Sequence, residues 1–328
     1  MFEKIAVIGS NSFSGSNFID YCLKQSCEVI GLSRSEEAHP VFLPYKNNIN
    51  NTVFYQRDLN HHLNELIDTL NDFKPDYVVN FAAQGMVAQS WENPGHWFKT
   101  NTLSNVLFHD RLRKLDFLKK YVHVSTPEVY GSCEGYVSEN HAMNPSTPYA
   151  VSRAAADMSL RSFYNAYKFP VSFTRSANVY GAGQQLYRII PRTIMCILTG
   201  EKLQLHGGGT SVRSFIHIDD VSAGTLKVAQ EPNAGEIYHF STDHAVSIRE
   251  LVELICNRLG ADFNECVEVV GDRLGKDGFY LLDNAKAKSN LGWSAQVTLN
   301  EGIDKTIEWV KNNLETLKKL PQNYIHKE

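Results

Sequence analysis

Tyr149 and Arg153 stand four positions apart in Ser146-Thr147-Pro148-Tyr149-Ala150-Val151-Ser152-Arg153. On a helix this spacing puts a phenol and a guanidinium on one face. A cation beside a phenol favours the phenolate and draws its pKa down. A tyrosine so tuned can exchange a proton with a sugar hydroxyl while hydride moves to a nicotinamide. The same cation can bond the nicotinamide ribose. A second group lies upstream in Ser125-Thr126-Pro127-Glu128-Val129-Tyr130-Gly131. There Thr126 offers a hydroxyl, and Glu128 a carboxylate able to take a proton from carbon next to a carbonyl. Taken singly, Tyr149 and Arg153 also suit a solvated helix face, and Glu128 a loop carboxylate. The coincidence of the three features points to a site.

These residues need elements to hold them. Thr147 can cap and Pro148 can open a helix over 148–167. Thr126 and Glu128 follow a strand over 120–125. Helices over 14–24, 63–71, 100–114 and 148–167 alternate with strands over 5–9, 28–32, 52–56, 77–81, 120–125 and 171–175. This alternation predicts an α/β fold with a doubly wound parallel sheet, whose strand carboxyl ends face a ligand crevice. Beyond residue 180 the pattern loosens. Helices are expected over 188–199, 246–259 and 299–318. Strands at 203–206 and 214–218 flank the turn Gly207-Gly208-Gly209. The expected organisation is a Rossmann-type domain over 1–180 and a smaller α/β substrate lobe over 181–328, with returns to the first domain near 216–242.

The segment Ile5-Ala6-Val7-Ile8-Gly9-Ser10-Asn11-Ser12-Phe13-Ser14-Gly15 reads as strand, tight turn and helix start. Such a turn brings backbone N–H groups and a helix N-terminus to a pyrophosphate. Gly9 permits the turn and Gly15 close helix–strand packing, while Ser12 stands where a fuller loop has glycine. After the second strand, Ser33-Arg34-Ser35 offers no acid for a ribose 2′-hydroxyl, and Arg34 can meet a 2′-phosphate. This favours NADP over NAD, with a solvated loop arginine as the rival reading. Asp58 either accepts from an adenine amino group or belongs to a plain turn.

The chain has 328 residues with 43% apolar and 21% charged residues, an ordinary globular balance. A net charge of −4 without long basic runs argues against a nucleic-acid groove. The six cysteines form no C-x-x-C pair, so neither a zinc site nor a disulfide framework is expected. No apolar run approaches the ~20 residues of a membrane span. A cytoplasmic protein without resident metal is the expectation.

Together these stretches resemble the extended short-chain dehydrogenase/reductase superfamily, in its nucleotide-sugar epimerase/dehydratase branch. Further matching stretches are Asn80-Phe81-Ala82-Ala83-Gln84, the runs over 175–181, 213–221 and 272–277, and Leu291-Gly292-Trp293. Within the branch the chain looks most like the sugar 4,6-dehydratases of the dTDP-glucose and GDP-mannose types. It departs in three places. Ser12 replaces a loop glycine, Pro127 the aspartate of the dTDP-glucose enzymes, and Arg153 the family lysine.

The resemblance implies a tightly bound, recycled NADP or NAD. Its contacts would be Gly9, Ser12, Phe13, Ser14, Gly15, Ser33, Arg34, Ser35, Asp58, Leu59, Ala82, Ala83, Gln84, Asn101, Tyr149, Arg153, Ser176 and Val179. The substrate implied is a GDP-, dTDP- or UDP-linked sugar, met by Thr126, Asn178, Arg188, Arg192, Arg213 and Arg273. Catalysis would fall to Thr126, Glu128, Tyr149 and Arg153. The reaction implied is C4 oxidation, C5 deprotonation and loss of water from C6, giving a 4-keto-6-deoxy sugar nucleotide. Alternatives are a 4-epimerase, a C4 dehydrogenase, a decarboxylase, or a non-catalytic nucleotide-binding homologue. A homodimer through the helices over 100–114 and 148–167 is also implied.

Overall fold

The computed structural model describes residues 3–47, 52–271 and 281–328. Its centre is a seven-stranded parallel sheet. Across the sheet the strands run Ile237–Phe240, Val171–Ser176, Lys120–Val124, Tyr77–Asn80, Lys4–Ile8, Glu28–Ser33 and Thr52–Gln56. The central strands are buried on both faces, and their Val/Ile-rich runs fit that position. One face packs the helix Phe13–Lys24 and the helix Ile218–Gln230 through Phe18, Ile19, Val221 and Val228. The other packs the helices Leu63–Phe73 and Pro148–Tyr167 through Leu66, Leu70 and Leu160.

The chain order reverses between Lys4–Ile8 and Tyr77–Asn80, which pair with Ile8 opposite Asn80. After residue 180 the chain builds a second cluster from Ile190, Ile194, Leu251, Ile255, Ile303 and Ile307. These come from the helices Ile189–Thr199, Ile248–Leu259 and Leu299–Leu317. In between, Ile237–Phe240 adds to the large sheet beside Val171–Ser176.

One expected element differs. The helix expected over 100–114 is a wide π-helical stretch, Phe98–Ser104, followed by an α-helix, Asn105–Leu112. Its loosened carbonyls are met from the side: Asn105 Nδ2 donates to Thr100 O at 2.9 Å. Such wide turns often mark functional positions, and this one carries Asn101. The strands flanking the glycine turn form no hairpin with each other. Leu203–His206 pairs with Val267–Val270, whereas Val212–His217 pairs with Asn178–Tyr180 and Ala245–Ser247. A hairpin would require the two strands to run directly back on one another. Instead Gly207–Gly209, with left-handed backbone at all three glycines, steers the chain between two small sheets.

Candidate active site

Open doubly wound sheets place ligands at the carboxyl ends of strands where the order reverses. The turn there is Gly9–Ser12. Gly9 has a φ of 82°, and a Cβ on it would lie 2.6 Å from Ala82 N. The loop after Tyr77–Asn80 therefore rests directly on the turn. Ser12 caps the helix: its Oγ accepts from Gly15 N at 3.0 Å and donates to Gly9 O at 2.7 Å. With a φ of −74° it needs none of glycine's freedom, so this departure is absorbed. A Cβ on Gly15 would collide with the Gly9 carbonyl oxygen. Phe13 is buried in the core, and Ser14 is half-buried in the first turn of the helix.

Asn11 was not singled out by sequence, yet it fixes the second loop. Its N–H donates to Ser33 Oγ, and its Nδ2 donates to Ser35 O and Glu36 O. Arg34 Nη1 donates to main-chain oxygens of Lys327 (3.3 Å) and Glu328 (2.5 Å). Asp58 uses both carboxylate oxygens locally, on Asn60 N and His61 Nδ1. Leu59 beside it is buried.

Asn80 Oδ1 accepts from Ala82 N, which fixes the loop carrying Ala82, Ala83 and Gln84. Gln84 is buried, and its Nε2 donates to Lys327 O at 2.6 Å. Asn101 is fully buried behind the loop. Its amide accepts from Gln84 N and donates to Gln84 O and Ser152 Oγ. Asn101 thus holds the loop rather than reaching into the crevice. Ser176 and Val179 are half-buried near the end of Val171–Ser176.

Thr126, Glu128 and Tyr149 come together. Thr147 Oγ1 accepts from Ala150 N at 3.1 Å, and Pro148 opens the helix as expected. Pro127 likewise opens a short 3-10 turn, Pro127–Tyr130, capped by Thr126. Tyr149 hydrogen-bonds the Thr126 side chain and feels the charges of Glu128, Arg153 and Arg188. Burial and the Glu128 carboxylate hold the phenol above its ordinary range, although Arg153, the Thr126 bond and Arg188 pull it down. The expected cation effect is present, but burial and Glu128 outweigh it.

Arg153 explains part of that balance, because it turns inward. It is 2% exposed, and Nη2 donates to Val124 O and approaches His123 Nε2 at 3.4 Å. Beneath it, Asp157 accepts from Arg175 Nη2 at 2.7 Å and from Ser125 Oγ at 2.6 Å. Arg175 also donates to Tyr130 OH. Burial holds His123 and His109 well below the ordinary histidine range, so both are neutral at pH 7. Sequence reading missed Asp157 and Arg175, which contact one another only through the fold.

Beyond residue 180, Arg188 sits at the entry of the helix Ile189–Thr199 and lies over the Tyr187 ring. Arg192 Nη1 donates to Gln322 O at 3.2 Å. Arg213 Nη1 donates to Val212 O, and Asn178 is half-buried on its short strand. Arg273 lies outside the described residues. Trp293 is packing: it is buried and donates to Asp220 O. Cys133 has His141 Nε2 at 3.5 Å from its sulfur, a neighbour the sequence did not suggest.

The crevice fits a dinucleotide. It offers a tight glycine turn, a helix N-terminus and buried polar atoms without a hydrogen-bond partner among the described residues. These atoms are Arg153 Nε and Nη1, Ser10 Oγ and Ser176 Oγ.

The order of the sheet, and the tyrosine helix set against the strand that ends at Val124, place the chain in the short-chain dehydrogenase/reductase class. Its sequence matches the family model described as GDP-mannose 4,6 dehydratase over residues 7–306. A dTDP-glucose 4,6-dehydratase of Streptomyces antibioticus is 33% identical, over 97% of this chain and 96% of that one. The human dTDP-D-glucose 4,6-dehydratase is 34% identical over 83% of this chain and 78% of its own. Among solved structures, a dTDP-glucose 4,6-dehydratase of Streptomyces venezuelae with NAD bound superposes with a TM-score of 0.89. It is 31% identical and covers 95% of this chain and 98% of its own. The chain belongs to the GDP-mannose 4,6 dehydratase family, and with it to the nucleotide-sugar 4,6-dehydratases, which are hydro-lyases.

Proposed function

We infer that the chain removes water across C5–C6 of a nucleoside-diphosphate hexose, leaving a 4-keto-6-deoxy sugar nucleotide. The observation that carries this reading is the meeting of Thr126, Glu128 and Tyr149 beside the crevice. Tyr149 takes the proton of the sugar 4-hydroxyl, and Thr126 bonds the same oxygen. The resulting 4-ketone acidifies C5–H, and Glu128 takes that proton. Glu128 returns it to the hydroxyl leaving C6, so that water departs. The Gly9 turn, Gln84 and Arg153 would hold a nicotinamide dinucleotide, which when bound would supply hydride uptake from C4 and its return to C6, while a solvent-derived proton is delivered to C5. No net oxidation results.

Arg188 and Arg192 are suited to the substrate diphosphate, since arginine grips phosphate with two donors. The test is mass spectrometry of products formed in heavy water from dTDP-, GDP- and UDP-hexoses. Loss of water with one deuterium retained is the expected result. An unchanged composition would replace this reading with epimerisation, and loss of two hydrogens with a C4 dehydrogenase.

The Arg153 cation pulls the Tyr149 phenol down, so Arg153→Met should let it rise. Because the phenolate is the active form, the ascending limb of kcat/KM should move to higher pH. Arg153→Lys should move it back. A limb that stays in place would uncouple the two residues.

At the adenosine end, Arg34 with Ser33 and Ser35 favours NADP, whereas solved relatives hold NAD. Arg34→Ala is expected to lower the preference for NADP over NAD, read as the ratio of the two dissociation constants, by about tenfold or more, a difference typical of a charge-assisted phosphate contact. Equal losses for both would assign Arg34 no part in the choice.

A homodimer completes the reading. Leu103 and Leu107 on one helical stretch, and Val151 and Met158 on the helix Pro148–Tyr167, are exposed apolar side chains. Their burial against a second copy accounts for an otherwise costly exposure. Leu107→Glu combined with Met158→Glu should run as a monomer in light scattering. A wild-type chain that is itself monomeric would overturn this part.

A further inference from the structure

The segment after the helix Leu299–Leu317 is laid into the same cleft. Residues 321–328 form no helix or strand, and their burial alternates: Gln322, Tyr324 and His326 are half-buried, while Pro321, Asn323, Ile325 and Lys327 are exposed. Alternation with period two is what an extended chain shows when one side lies on a surface.

Each inward position meets a residue of the crevice. Gln322 O accepts from Arg192 Nη1. The Tyr324 ring packs edge-on against Tyr187, with centroids 5.5 Å apart. The His326 ring stacks on the fully buried Trp97, with centroids 5.2 Å apart and planes 8° apart. It also hydrogen-bonds His96 at 2.9 Å. Beyond it, Lys327 O takes the donors of Gln84 and Arg34, and Glu328 O takes a second bond from Arg34. The Glu328 carboxylate lies 3.4 Å from His96. Eight residues can reach at most about 26–29 Å, enough to run from the helix Leu299–Leu317 to the loop after Glu28–Ser33.

We propose that residues 321–328 are an internal competitor of the dinucleotide: a strap that occupies the cofactor cleft and must leave before the cofactor loads. The proposal rests on the reading of this crevice as a dinucleotide site. Its basis is the use of donors. The Arg34 guanidinium and the Gln84 amide both point into the crevice, and both are spent on main-chain oxygens of the strap. A ligand oxygen and a strap oxygen cannot share them. Because the strap is tethered, its effective concentration is on the order of millimolar. Two hydrogen-bonding anchors and one stacked ring therefore suffice to seat it. A binding-competent fraction of one in ten weakens apparent affinity about tenfold.

The test compares NAD and NADP dissociation constants for three proteins by titration calorimetry. These are the full chain, a chain ending at Leu320, and the full-length double variant Tyr324→Ser with His326→Ser. Both altered proteins are expected to bind dinucleotide about tenfold more tightly. A synthetic peptide of residues 321–328 is expected to weaken binding to the shortened chain competitively. Unchanged affinity in both variants would overturn the proposal. Weaker affinity would overturn it in favour of a strap that covers bound cofactor. Absence of dinucleotide binding by all three proteins would instead overturn the reading of the crevice, and the proposal with it.

Discussion

Glu128→Gln is expected to lower the rate of water elimination by about 10²–10⁴-fold, the range associated with loss of a positioned general base. Dinucleotide affinity should be unchanged, because the crevice residues suited to the cofactor are carried by other segments. The reasoning is local. Glu128 stands in the short turn Pro127–Tyr130, whose start is fixed by the Thr126 cap and the rigid Pro127. Glutamine fills the same space and leaves that turn in place, so the loss is chemical rather than structural. Removing the carboxylate also removes a charge that raises the Tyr149 phenol. The tyrosine should then ionise more readily, and proton removal from the sugar 4-hydroxyl should survive. In heavy water, the variant should give neither water loss nor deuterium at C5. Full elimination by the variant would transfer the base to another residue. Loss of dinucleotide binding together with activity would make Glu128 a structural residue.

This prediction uses what the sequence made legible. The turn around Thr126 and Glu128, the Thr147-Pro148 helix start and the glycine turn are local signals, and each appears where local reasoning places it. What the sequence concealed is contact between distant segments. Asn11 reaches the loop after Glu28–Ser33, and Asn101 reaches Gln84 across a π-helical stretch that helical periodicity alone reads as ordinary helix. The partners of the two strands around Gly207–Gly209 were hidden for the same reason. Nothing local to 203–218 shows that its two strands pair with 267–270 and 178–180. The strap offered a faint signal in the alternation of Gln322, Tyr324 and His326, but a short, mostly polar stretch also describes a solvated tail.

The other large effect concerns charge under the site. Asp157 is 2% exposed, and Arg153 and Arg175 are equally buried, with neutral His123 between them. Two cations buried around one carboxylate are tolerable only while that carboxylate accepts from Arg175 and Ser125. Removing one partner from such a group costs about 3–5 kcal/mol, because the charge left behind is neither solvated nor paired. Asp157→Ala should therefore lower the melting temperature by roughly 5–10 °C. Asp157→Asn keeps the shape and an acceptor oxygen but not the charge, and should lose nearly as much. Combining Asp157→Asn with Arg175→Met removes one surplus cation together with the carboxylate. That double variant should recover part of the loss, since the excess positive charge then falls back toward its original level. The recovery separates charge from packing: a cavity effect would make the two changes add, whereas a charge effect makes them offset one another. A melting temperature that is unmoved in Asp157→Asn would mean that Tyr130, rather than the carboxylate, holds Arg175 in place. The functional consequence follows from the position of Arg153. With Asp157 gone, nothing anionic remains beneath it, and its guanidinium should shift from Val124 O toward the open crevice and Tyr149. Asp157→Asn should therefore lower the pH at which the phenolate forms even as it lowers stability.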